Sequence, residues 1–167
     1  MPTSPKPYLL GMYEKAVPVE LSWVERLEAA RMCGFDYVEI SIDESDARLA
    51  RLVWSAQERR DLVRAQEQTG VPVRSMCLSG HRKYPFGATD PAARARSLEI
   101  MRQALDLACD LGVRTVQLAG YDVYYEESTN RTRAWFVENL ARAVEMAARA
   151  GVVLGFETIG DPLHGHS

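Results

Sequence analysis

No stretch of this chain approaches the roughly 18 to 20 uninterrupted apolar residues that a membrane-spanning helix needs. Its first residues, Met1 to Pro7, carry three prolines in place of the apolar core of a secretory leader. Both absences lead to the expectation of a cytoplasmic protein. Cysteine is scarce, with 3 in 167 residues, and Cys33, Cys77 and Cys109 form no CxxC pair. A disulfide framework is thereby excluded, a reducing compartment fits, and Cys33 and Cys109 are expected to be small buried hydrophobes. An excess of either charge is missing too: 20 Lys and Arg stand against 23 Asp and Glu, interspersed along the chain, for a formal net charge of -3. Neither a basic footprint for nucleic acid nor a cationic stripe for a membrane surface is present. No low-complexity linker divides the chain, and the first apolar run, which continues as Gly11-Met12-Tyr13-Glu14-Lys15, has no GxGxxG turn.

What is present is a regular alternation of two periodicities. Short apolar or alternating runs at Leu9–Met12, Tyr37–Ile42, Val73–Leu78, Val113–Leu118 and Val152–Glu157 read as five strands. Between them lie helices with recognisable starts. Ser22 with Glu25 and Ser55 with Glu58 are capping boxes, Asp90-Pro91 places proline at the first helical position, and a further helix starts near Thr129. Gly34, Gly70 and Gly112 mark the ends of the first three. The last helix carries Trp135, Phe136, Leu140 and Val144, with Trp135 and the Tyr124-Tyr125 pair expected in the core or a pocket wall. Strand and helix in alternation demand a parallel sheet with right-handed crossovers. Without the dinucleotide-binding turn, a barrel is preferred to an open Rossmann sheet. A complete (β/α)8 barrel takes about 250 residues, so the fold class is α/β, a partial barrel of about four and a half βα units.

In such a barrel the chemistry sits at the carboxyl ends of the strands. Those ends are unusually polar here: Tyr13, Glu14 and Lys15; Glu39, Ser41, Asp43 and Glu44; Ser79, His81, Arg82 and Lys83; Gln117, Tyr121 and Asp122; and Glu157. Hydroxyls, amides and both charge signs spread over several loops suit a polyhydroxylated ligand, because each buried substrate hydroxyl must find a partner. Glu157 ends an apolar strand, where a carboxylate needs a cation, a donor or solvent. A metal-facing and a solvent-facing Glu157 are both compatible with that pattern. His81 beside Arg82 and Lys83 offers a neighbourhood that a phosphate would favour, or else a solvated loop. The acidic turn Asp43–Asp46 lacks the spacing of a calcium loop, and His164-Gly165-His166 is a weak metal signal.

Longer runs carry a resemblance. They are Leu10-Gly11-Met12-Tyr13-Glu14-Lys15-Ala16, Ser41-Ile42-Asp43-Glu44-Ser45-Asp46, Ser75 through Gly87 and Gln117 through Glu127. Over about residues 8–158 the chain resembles the L-ribulose-5-phosphate 3-epimerases of the xylose-isomerase-like barrel superfamily, also named L-xylulose-5-phosphate 3-epimerases or hexulose-6-phosphate isomerases. The resemblance implies an enzyme using a divalent metal, zinc or manganese, that inverts C3 of a ketopentose 5-phosphate through an enediolate. It implies that Glu157 is both metal ligand and acid/base group, and that Tyr13, Glu14, Lys15, Ser79, His81, Arg82 and Tyr121 bind substrate. The other three ligands of that family lie on strands six to eight, which have no counterpart here, and residues 159–167 depart from its pattern. The expectation is therefore the N-terminal part of one barrel domain over 1–167, inactive alone and open to self-association through its edges. The alternatives are a non-catalytic half-barrel and an isomerase of a hexulose 6-phosphate.

Overall fold

The computed structural model describes residues 7–157. Its strands are β1 (Gly11–Tyr13), β2 (Tyr37–Ile42), β3 (Val73–Leu78), β4 (Thr115–Ala119) and β5 (Val153–Glu157). All neighbours pair in parallel in the order of the chain, β1-β2-β3-β4-β5. The long helices α1 (Trp23–Met32), α3 (Ala56–Thr69), α4 (Pro91–Leu111) and α5 (Asn130–Ala150) make the crossovers, and a short α2 (Asp46–Leu49) follows β2.

Local chemistry accounts for the helix ends. Ser22 with Glu25 and Ser55 with Glu58 form complete capping boxes, and the Asp90 carboxylate caps α4 ahead of Pro91. α4 stops where Gly112 takes φ 77°, a left-handed turn that costs glycine little. The sequence did not disclose α2, a four-residue helix capped by Ser45, because so short a helix depends on contacts from elsewhere. β1 is also shorter than the apolar run suggests: Leu9 and Leu10 precede it and are exposed.

Alternation along each strand separates two faces. Met12, Val38, Ile40, Ile42, Met76, Leu78, Val116 and Leu118 are buried in the core beneath the helices, against residues such as Leu27, Leu62, Ile100 and Leu107. The register sets their neighbours in cross-strand rows. Tyr13, Glu39, Ser75 and Thr115 align in one row, and Ser41, Cys77, Gln117 and Gly155 align in the next. The lumen of a closed barrel is ordinarily packed with branched apolar side chains, and these rows are polar instead.

Three expectations change. Cys33 and Cys109 are exposed, not buried, since each lies at the solvent side of a helix end. Tyr125 is exposed as well, neither core nor pocket wall, whereas Trp135 does line a cleft, in the helical layer, half-buried between the guanidinium groups of Arg94 and Arg131 at 3.9 and 4.8 Å from its ring. At the edge of the described sheet, Val153 and Phe156 of β5 are exposed, as are Val137 and Val144 of α5. No helix among the described residues is long and apolar enough to cross a membrane.

Candidate active site

Tyr13, Lys15, Cys77, Ser79, Arg82, Gln117 and Glu157 line one cavity of about 130 Å³ at the carboxyl end of the sheet. It adjoins a larger one, about 550 Å³, that runs along the lumen face past Tyr37, Glu39, Ser75, Thr115 and Gly155. Gln117 and Glu157 belong to both. Five of the residues anticipated from sequence thus come together around a single opening, and three do not.

Glu157 is the last residue of β5. The Gln117 amide donates from Nε2 to its Oε2 at 2.9 Å, reaching diagonally across the strand pair. Gly155 is the register partner of Gln117 and has no side chain to block that reach. Deeper in the lumen, Ser75 Oγ donates to Glu39 Oε2 at 2.7 Å. Tyr13 donates its hydroxyl to Ser41 Oγ at 3.0 Å, and burial dominates in raising the phenol above its ordinary pKa. Burial works against the charge of Lys15, but its 2.5 Å bond to Asp43 outweighs that and raises the ammonium's pKa. Cys77 was not anticipated, although its place two residues beyond Ser75 puts it on the same face. Burial, then the carboxylate of Glu39, pushes its thiol upward.

Arg82 stands on the short 3-10 turn Ser79–Arg82, with its guanidinium 4.8 Å from the Tyr124 ring and 3.9 Å from Glu44. Burial opposes its charge, while Tyr121, Tyr124 and Glu44 more than compensate and raise its pKa. Tyr125 adds a bond from its hydroxyl to Glu44 at 3.0 Å. The turns after β2, β3 and β4 are in this way tied over one side of the opening.

The remaining three anticipated residues have other surroundings. Tyr121 stands behind Arg82, its ring 5.1 Å from Tyr124, and burial drives its phenol up to about 12. His81 is buried: Nε2 meets the Ser97 carbonyl at 3.0 Å, the ring lies 4.4 Å from Phe86, and desolvation lowers its pKa to about 4. A neutral imidazole anchored to α4 offers no charge to a phosphate, so His81 secures the turn that carries Arg82. Glu14 is completely buried, bound by Arg48 and by Arg51 Nη1 at 2.8 and 2.9 Å. Its carboxylate is committed to those cations and is withdrawn from the opening. The tail histidines His164 and His166 lie outside the described residues.

Among the described residues no three His, Cys, Asp or Glu side chains gather where they could hold a metal ion. Glu157 supplies one carboxylate, and a single carboxylate does not make a closed cation site.

Residues 27–166 match the family model described as xylose isomerase-like TIM barrel. The chain belongs to this family. It is 55% identical over 154 residues to the L-ribulose-5-phosphate 3-epimerase UlaE of Escherichia coli O8 (strain IAI1), covering 92% of this chain and 54% of that protein. A solved structure of L-ribulose 3-epimerase superimposes with a TM-score of 0.60 at 25% identity, over 90% of this chain and 50% of the other. One of D-psicose 3-epimerase in the presence of D-fructose gives a TM-score of 0.77 at 16% identity, over 95% of this chain and 55% of the other, a likeness of fold alone. The chain spans about half the length of these relatives.

Proposed function

We propose that this chain carries the N-terminal half of a ketose-phosphate 3-epimerase site whose substrate is L-ribulose 5-phosphate or L-xylulose 5-phosphate. The observation that carries the reading is Glu157 sharing one cavity with Tyr13, Lys15, Ser79 and Arg82. Epimerisation at C3 begins with removal of the proton beside the C2 carbonyl, a task for a carboxylate within hydrogen-bond reach of that carbon. Glu157 has that role, on the cavity wall with one carboxylate oxygen held by Gln117. Lys15 and Arg82 supply positive charge for the phosphate, and the hydroxyls of Tyr13 and Ser79 supply partners for the sugar.

Inversion also requires a proton returned on the opposite face. Glu157 is the single carboxylate lining the strand-end cavity among the described residues. The family resemblance implies a divalent metal that would stabilise the enediolate oxygens, for which Glu157 would be one ligand; the described residues do not gather the rest of its site. The 167-residue chain by itself is accordingly proposed to bind the sugar phosphate without turning it over.

A coupled 3-epimerase assay on L-ribulose 5-phosphate with added manganese or zinc, run beside calorimetric binding, tests this. The expected result is binding that weakens in Lys15→Met and Arg82→Met, with no turnover by the chain alone. Equal affinity in all three would remove the substrate assignment. Turnover abolished in Glu157→Gln would show that a partner completes the site. Tighter binding of a hexulose 6-phosphate would move the assignment to that sugar.

A second reading, a self-associating half-barrel without catalysis, is favoured by the exposed Val153 and Phe156 at the β5 edge. Sedimentation over a concentration series separates it, since specific self-association without sugar binding would support it.

A further inference from the structure

The buried Glu14 lies between Tyr13 and Lys15, both of which line the cavity. Its carboxylate points the other way, into a cluster built by the segment after β2. Arg51 donates to both of its oxygens and also to the Ser41 carbonyl near the end of β2, at 3.1 Å. The Arg51 guanidinium rests on two indole rings, 5.3 Å from Trp23 and 5.6 Å from Trp54, so its position is fixed by packing on α1 and on the segment entering α3. Arg48, from α2, contacts Glu14 through Nη1 while its Nε is 3.5 Å from Asp43. Asp43 in turn holds Lys15 at 2.5 Å and accepts from the Ser45 backbone N–H at 2.9 Å.

These contacts close a ring: Glu14 to Arg48, Arg48 to Asp43, Asp43 to Lys15, and Lys15 back to Glu14 through the chain. The ring and Arg51 set three cations against two carboxylates. The corner between β1 and β2 is therefore left with unbalanced positive charge, and Lys15 is its one member on the cavity wall. The carboxylates compensate the guanidinium groups and orient the ammonium.

We infer that Glu14 is a positioning residue, whose clasp by Arg48 and Arg51 locks the turn after β1 onto the segment after β2 and so sets Lys15 for the anionic group of the ligand. This rests on the assignment of Lys15 to ligand binding made above. Glu14 itself touches no ligand. It acts through the backbone that it shares with Lys15 and through the Arg48–Asp43 link.

The test measures binding of L-ribulose 5-phosphate and of L-ribulose to the full chain by calorimetry, because the difference between the two sugars isolates the anionic group. Lys15→Met is expected to reduce the preference for the phosphorylated sugar about tenfold, the scale of one hydrogen bond to a charged group. Glu14→Gln is expected to produce a similar loss, to leave binding of L-ribulose unchanged, and to add nothing in the double variant. A role confined to stability would weaken both sugars together. If Glu14→Gln fails to fold, Arg48→Met carries the test: it leaves Glu14 bonded to Arg51, cuts the link to Asp43, and should show the same selective loss. A folded Glu14→Gln or Arg48→Met that keeps its phosphate preference, or losses that add to that of Lys15→Met, would overturn the inference while leaving the ligand assignment intact. No loss in Lys15→Met, or no preference in the unmodified chain, would overturn that assignment and the inference with it.

Discussion

Gln117 and Glu157 are joined across the β4–β5 pair by a 2.9 Å bond from amide to carboxylate, a side-chain link between these strands at the opening. An amide in place of the carboxylate keeps an acceptor for that bond. Glu157→Gln should therefore fold with a stability within about 1 kcal/mol of the parent, as expected for an exposed position. Any catalysis in which the chain takes part should vanish. Paired thermal melts and epimerase assays check this, and a large drop in melting temperature would show that the carboxylate is structural.

His81 makes stability depend on pH in a definite direction. Its folded pKa is about 4, below the ordinary value of 6.5. Above pH 6.5 the imidazole is neutral in both states and has no effect. Between pH 6.5 and 4 the unfolded chain binds a proton that the folded chain refuses, and stability falls by up to about 3 kcal/mol. Urea denaturation at pH 7.5 and 4.5 should show that loss, and His81→Gln should show a shallower one. Parallel pH profiles would place the sensitivity elsewhere.

Gly87 sits where two backbones close on it. A Cβ there would lie 2.5 Å from the Thr132 carbonyl oxygen and 2.6 Å from that of Asp122. Neither neighbour is a side-chain tip that could swing aside, so Gly87→Ala should cost at least about 1–3 kcal/mol. It should also disturb the turn after β4, visible as altered tyrosine signals from Tyr121 and Tyr124. An unchanged melting temperature would count against this packing.

The exposed edge should govern association in solution. Replacing Val153 and Phe156 together by Lys should lower any concentration-dependent self-association measured by sedimentation, since charge on an edge strand discourages pairing. Persistence of the same assembly would shift the contact to another surface.

Much of this architecture can be read along the chain, because its determinants are local. Ser22 with Glu25, Ser55 with Glu58 and Asp90-Pro91 each start a helix within a few residues of sequence, and the strands from Tyr37 and Val73 match their runs. The strand-end cavity follows from the fold, which brings Tyr13, Lys15, Ser79, Arg82 and Glu157 to one end. Glu14 and His81 were beyond such a reading. Their burial depends on partners remote in the chain, with Arg51 lying 37 residues from Glu14 and Ser97 lying 16 from His81. Spacing alone cannot distinguish a carboxylate offered to a ligand from one already held by two guanidinium groups. Cys33 and Cys109 failed for a related reason: helix periodicity sets which side faces the sheet but leaves the last turn free to project outward.

The polar rows on the lumen face have a further consequence for how this protein can change. Across the sheet Ser75 bonds to Glu39 and Gln117 to Glu157, while the apolar residues alternating with them carry the packing beneath the helices. Heritable variation in the first set can alter what the opening accepts with little effect on the second. A library randomised at Glu39, Ser75 and Gln117 should yield a high proportion of folded members, and an equal library at Ile40, Met76 and Val116 very few. In this half of the barrel, the capacity to acquire new specificities is physically separate from the capacity to fold.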